Sequence, residues 1–137
     1  MDIEKLMKIM SDARKNGAGN LTIRGMLDKL NNFDDNEKVT LPDGKFFDGT
    51  ADSYRGYYED MYLGYCYEDL GHNTVGSLKQ ILTDALLTAE MTGYKGGEFP
   101  IEDDTLLWLA SYGRCGDMII DIQKINDAII VITKEDD

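Results

Sequence analysis

Apolar residues along this chain fall into two periods, and the periods divide it into segments. Ile3, Leu6, Met7 and Met10 recur at i, i+3, i+4, i+7, one face of an amphipathic helix over residues 1–16, with Asn16 and Gly17 as its stop. "NGAGN" (16–20) reads as a linker. Thr22 is an N-cap for a second helix carrying Ile23, Met26, Leu27 and Leu30. "KVTL" (38–41) is a short strand, followed by a Pro42–Gly44 turn. In "EDMYLGYCYED" (59–69) the period drops to two: Met61, Leu63, Tyr65 and Tyr67 share one face, and Tyr62, Gly64 and Cys66 the other. Gly64 there marks a bulge or the close approach of another group. Thr74 caps the longest helix, with Leu78, Ile81, Leu82, Ala85, Leu86 and Ala89 as its stripe and Gly93 as its stop; it is expected to lie across a sheet face. "TLLWLASY" (105–112) is a central strand. "DMIIDIQKI" (117–125) and "AIIVIT" (128–133) flank Asn126-Asp127, a pair suited to a tight hairpin. Segregated helices and strands predict a single α+β domain over 1–137. Its sheet is mostly antiparallel and packed by the long amphipathic helix, with additional N-terminal helices. The 1–16 helix is a candidate oligomer contact.

Composition narrows the partners. The 137 residues suit one domain, and 42% are apolar, enough for a real core. Acidic residues outnumber basic ones by 26 to 14, for a net charge of −12. That disfavours direct nucleic-acid binding, which rests on neutralising phosphates, and suits a basic protein surface. Cys66 and Cys115 form no CxxC pair, and one histidine cannot complete a zinc set with them. They read as two buried thiols in a reducing cytosol. No apolar run approaches the roughly 20 residues of a membrane span, and Met1 leads directly into a charged segment, so the expectation is a cytoplasmic protein with no membrane partner. Seven methionines and the leading helix suit a homo-oligomer.

The candidate chemistry sits in two glycine-centred segments. "DSYRGYYED" (52–60) holds Tyr54, Arg55, Gly56, Tyr57 and Tyr58; "TGYKGGEF" (92–99) holds Tyr94, Lys95, Gly96 and Gly97. A guanidinium pairs bidentately with phosphate or carboxylate, tyrosine rings stack on planar ligands, and glycine-rich backbone can turn its N–H groups to an anion. One reading is a pair of loops gripping an anionic, nucleotide-like small molecule, with Arg55 and Lys95 converging. The other is an aromatic strand entry with Arg55 salt-bridged to Asp52, Glu59 or Asp60, and a plain glycine turn. The acidic clusters Glu59-Asp60, Glu68-Asp69 and Glu102-Asp103-Asp104 read as solvated loops, and no metal or other cofactor is expected. His72 reads as an exposed loop histidine. No GxSxG, HExxH, P-loop or GxGxxG motif occurs, so no catalytic residue is assigned.

Ser53 to Tyr58, Thr74 to Gly76, Gly93 to Phe99 and Asp104 to Trp108 together resemble a family of small tailed-bacteriophage proteins carrying SYRGYY and GYKGGEF motifs. The resemblance covers roughly residues 21–116 and departs from the family pattern in the N-terminal helix and at Leu107. It implies a phage accessory protein acting in the cytoplasm of the infected bacterial host, with anti-defence as the expected context. Two routes fit: sequestration of a nucleotide signal without turning it over, or an acidic inhibitor occupying a host defence or nucleic-acid-handling protein. A metal-dependent nuclease or phosphodiesterase is the third alternative.

Overall fold

The computed structural model describes residues 4, 7, 8, 11, 19–54, 60–88, 90–92, 98–111 and 116–135. The second helix forms where its cap and period place it. Thr22 Oγ1 accepts from the Gly25 N–H at 2.9 Å, and α1 (Ile23–Leu30) buries all four of its apolar residues. Thr74 Oγ1 likewise accepts from the Ser77 N–H at 3.1 Å, opening α2 (Val75–Thr88), which buries Val75, Leu78, Leu82 and Ala85. Among the described residues eight strands accompany them: β1 (Val39–Thr40), β2 (Phe46–Ser53), β3 (Met61–Cys66), β4 (Glu90–Thr92), β5 (Glu98–Pro100), β6 (Leu107–Ala110), β7 (Asp117–Ile125) and β8 (Ala128–Glu135). The β7–β8 hairpin turns at Asn126, whose φ of 55° is the left-handed value asparagine tolerates.

The architecture departs from the expected one. Six strands form one curled, half-barrel sheet of mixed sense in the order β1-β8-β7-β6-β3-β2, while β4 and β5 pair separately. Two of its five pairings are parallel: β1 with β8, and β3 with β6. The mostly antiparallel sheet is therefore corrected to a mixed one. Parallel neighbours need a long crossover, and residues 67–106, with α2 and the β4–β5 hairpin inside them, supply it. The long helix is corrected too. α2 is found against α1 and the edge strand β2, and a long helix laid across the sheet is not shown. α1 and α2 are the two α-helices with described bounds, and Glu4, Met7, Lys8 and Ser11 are helical as well. The rest of the expected helix over 1–16 lies outside the described residues, so no set of additional N-terminal helices is shown.

The curl has a visible cause. β6 and β7 pair only at Trp108–Met118 and Leu109–Asp117. Beyond that they part, and the backbone of Leu21 spans the gap. Its carbonyl accepts from the Leu107 N–H at 2.9 Å, and its N–H donates to the Ile119 carbonyl at 2.7 Å. The residue just after the expected linker is a wedge that satisfies both strands where they splay. At the β2 edge Asn73 plays a similar part, its amide accepting from Phe47 N–H at 2.8 Å and donating to Phe47 C=O at 3.2 Å.

One sheet face carries the main core: Met61, Leu63, Leu107, Leu109, Ile119 and Val131, with α1 and α2. The other carries Tyr54, Trp108 and Ala110, with Tyr62 and Met118 against them.

Candidate functional site

Ser53 pairs with Met61 at the last rung of the β2–β3 ladder, and Tyr54 N–H donates to Asp60 C=O at 3.0 Å just beyond it. That closes the stem of the connection carrying residues 55–59. Three further interactions brace it. The Tyr54 ring stacks on Trp108 at 4.5 Å between centroids and 8° from parallel. Trp108 Nε1–H donates to Asp60 Oδ2 at 2.8 Å, and the Gly116 N–H donates to the Tyr54 hydroxyl at 2.8 Å. Both rings are 3% exposed. Tyr54 is thus placed as a strut linking the β2–β3 stem to the start of β7, with no ring face left open for a ligand. Trp108, inside the expected central strand, is also a hydrogen-bond donor with a named acceptor.

Arg55, Gly56, Tyr57 and Tyr58 lie outside the described residues, as do Tyr94, Lys95, Gly96 and Gly97. The backbone on either side is described. Glu90–Pro100, Met91–Phe99 and Thr92–Glu98 are paired antiparallel, so residues 93–97 are the connection of a hairpin. β3 and β6 run parallel from Met61 and Leu107, beside the end of β2, and the chain reaches β6 from β5 through Ile101–Leu106, while β4 touches β2. Of the carboxylates named as alternative partners for Arg55, Asp52 accepts from the Ser53 N–H at 2.7 Å and Asp60 from Trp108; Glu59 is outside the described residues.

Gly64 marks a close approach, as its place in the strand suggested. A Cβ there would overlap the Asp48 carboxylate, whose Oδ1 accepts from the Thr50 N–H at 2.8 Å. Asp48 and Asp52 flank Tyr62 on this face. Burial first, and then the charges of Asp52 and Asp48, push the Tyr62 phenol above its ordinary range. His72 is half-buried, its ring against Gly49, where φ is 92° and an added Cβ would stand 3.0 Å from Nε2. Cys66 is half-buried rather than buried, and its Sγ–H donates to Glu68 C=O at 3.0 Å; Cys115 is outside the described residues.

The acidic clusters do not converge. Asp69 is held below the usual carboxylate range chiefly by the Gly71 N–H, against an opposing push from burial and with help from Lys38 and Asn73. Asp103 pairs with Arg24 at 3.1 Å. Among the described residues no three His, Cys, Asp or Glu side chains come close enough to hold a metal ion. No helix among them is long and apolar enough to cross a membrane. Sequence reasoning missed Asp60 and Gly116 as partners of the aromatic pair. The only signal was indirect: a buried tryptophan needs an acceptor for its N–H. Comparison with protein-family models, with curated proteins and with solved structures finds no match in any of the three.

Proposed function

We propose that the chain is a phage accessory protein of anti-defence type that binds an anionic, nucleotide-like small molecule in the host cytoplasm and holds it without turnover. Arg55 and Lys95 supply the charge, Tyr57, Tyr58 and Tyr94 the stacking surface, and Gly56, Gly96 and Gly97 the backbone donors. The observation that carries this reading is topological. Each of the two aromatic–cation–glycine segments connects an antiparallel strand pair, and β4 of one pair touches β2 of the other. A second observation supports it. Arg24, Lys29, Lys38, Lys79 and Lys124 each stand within 4.0 Å of a carboxylate, so cationic charge in the body of the fold is largely committed. Mass spectrometry of small molecules released from the heat-denatured protein, with a thermal-shift panel of mono-, di- and cyclic nucleotides, tests the reading. A nucleotide recovered unchanged is expected, and ligand at about a hundred times its Kd stabilises by about 2.7 kcal/mol. No released compound and no stabilising nucleotide would sink it.

The runner-up, an acidic inhibitor of a basic host protein, also has a specific support. The exposed Glu102-Asp103-Asp104 turn is built to a fixed shape. Thr105 N–H donates to Glu102 C=O, Glu102 N–H to Thr105 Oγ1, and Arg24 N–H to Asp103 C=O, at 2.9–3.1 Å. Reversing the charges of Glu102 and Asp104 should then abolish protection of phage in infected cells, and unchanged protection removes this reading. Under either reading we take the protein to be a homo-oligomer; light scattering at the monomer mass of 15.4 kDa would refute that.

A further inference from the structure

Lys45 follows the Pro42–Gly44 turn and enters β2 at the end of the sheet opposite the 54–60 connection. Its side chain is only 14% exposed. The ammonium lies 4.5 Å from the centre of the Tyr65 ring and 3.8 Å from Asp117 Oδ2, which is beyond hydrogen-bonding distance. Among the described residues no buried side-chain nitrogen or oxygen lacks a hydrogen-bond partner. The Lys45 ammonium makes no hydrogen bond to them, so it is not fully buried, although its stem is covered. Beside it, Tyr65 meets Tyr67 edge to face at 5.9 Å and 84°, and Tyr67 is 70% exposed.

A cation and a carboxylate held just apart, next to an exposed aromatic ring, select for a particular chemistry. A bare anion on Lys45 would face Asp117 and also Glu135, its cross-strand neighbour on β8. A hydroxyl group fits better, because it accepts from the ammonium and donates to the carboxylate at once. A ring bearing such hydroxyls also has an apolar face to lay on tyrosine, the usual mixture of aromatic wall and few polar groups in a small-molecule site. We propose that Lys45, Asp117, Tyr65 and Tyr67 form a binding site for a polyhydroxylated ring, either the ribose of a nucleoside or a free sugar unit. The site uses none of the residues 54–60 or 92–98 and stands or falls independently of the function proposed above.

The test is a nuclear magnetic resonance titration of the full-length, isotope-labelled protein with three probes: uridine, a methyl glucoside and inorganic phosphate. Uridine or the glucoside should shift the amide signals of Lys45, Tyr65, Tyr67 and Asp117, and which of the two does so identifies the source of the hydroxyls. Lys45→Met, which keeps an unbranched apolar stem, and Tyr67→Ala should each weaken that response about tenfold or more. Tyr67→Ala changes an exposed side chain and should leave the melting temperature unchanged, so it decides the matter even if Lys45→Met fails to fold. Shifts with phosphate alone would make this an anion site and overturn the proposal. So would the absence of shifts with every probe, or a Tyr67→Ala variant that binds like the parent.

Discussion

The two ends of the sheet use the same kinds of side chain to opposite effect. At one end Tyr54 and Trp108 lie face to face, both buried, with the Tyr54 hydroxyl and the Trp108 indole N–H both engaged in hydrogen bonds. At the other, Tyr65 and Tyr67 meet edge to face with Tyr67 exposed, and the neighbouring Lys45 makes no hydrogen bond to the described residues. A stacked pair with satisfied polar tips has nothing further to offer and acts as scaffold. An exposed ring beside a cation that makes no hydrogen bond to the described residues keeps interaction capacity for something else. Aromatic residues near a cation are thus not by themselves a site; what decides is whether their polar groups are already engaged.

The largest expected effect tests the scaffold end. Trp108→Ala removes a buried indole, uncovers one face of Tyr54 and removes one donor to Asp60. It should cost about 3–5 kcal/mol, a large share of the stability of a domain this size. A denaturant midpoint close to that of the parent would break the contrast between the ends. Next comes Arg55→Ala, which should weaken binding of the anionic ligand by about 1.5–3 kcal/mol, roughly ten- to a hundredfold, with the fold intact. A large fall in melting temperature with binding preserved would make Arg55 another piece of scaffold. A smaller effect belongs to Tyr54→Phe, which leaves the stack but takes the acceptor from the Gly116 N–H, at a cost of about 0.5–1.5 kcal/mol. Hydrogen exchange at Gly116 should speed up while exchange in β7 and β8 does not.

The smallest effect is a titration. The Tyr62 phenol is raised above its ordinary value of 10.0, by burial and then by Asp52 and Asp48. A group raised on folding contributes stability that is present in full below the unfolded value and is lost as pH rises through the folded one. The protein should therefore weaken slightly in alkali through Tyr62. An ultraviolet titration should show Tyr62 ionising at lower pH in Asp52→Asn, and an unchanged curve would remove Asp52 as a cause.

What was legible in the sequence was local. Thr22 and Thr74 announce α1 and α2 because a cap and a 3.6-residue period lie within a few residues of each other. The alternation in β3 and the Asn126 turn are equally self-contained, and Gly64 pointed to its close neighbour. β2 was not legible. "FFDGTADS" breaks its alternation at a bulge between Phe47 and Ala51, where Gly49 takes a positive φ. The parallel pairings were hidden for a different reason: nothing in Val39 or Ile129 states that strands ninety residues apart will lie side by side. The brace was half legible. Tyr54 and Trp108 were both noticed, but their stacking on each other, which turns Tyr54 from a ligand contact into a strut, depends on the β3–β6 register.

The wedge at Leu21 has a consequence for the order in which the chain assembles. Its two backbone bonds reach Leu107 and Ile119, and β1 finds its partner only in β8. Contacts of such sequence separation form late and slow the search. The early helix α1 can form as soon as its residues are made, yet it has no completed sheet to rest on until nearly the whole chain has left the ribosome. A prefix of the chain ending near residue 110 should remain sensitive to protease, and full protection should appear only once β7 and β8 are present. Synthesis, rather than collapse of the first half, sets the moment at which this protein becomes folded.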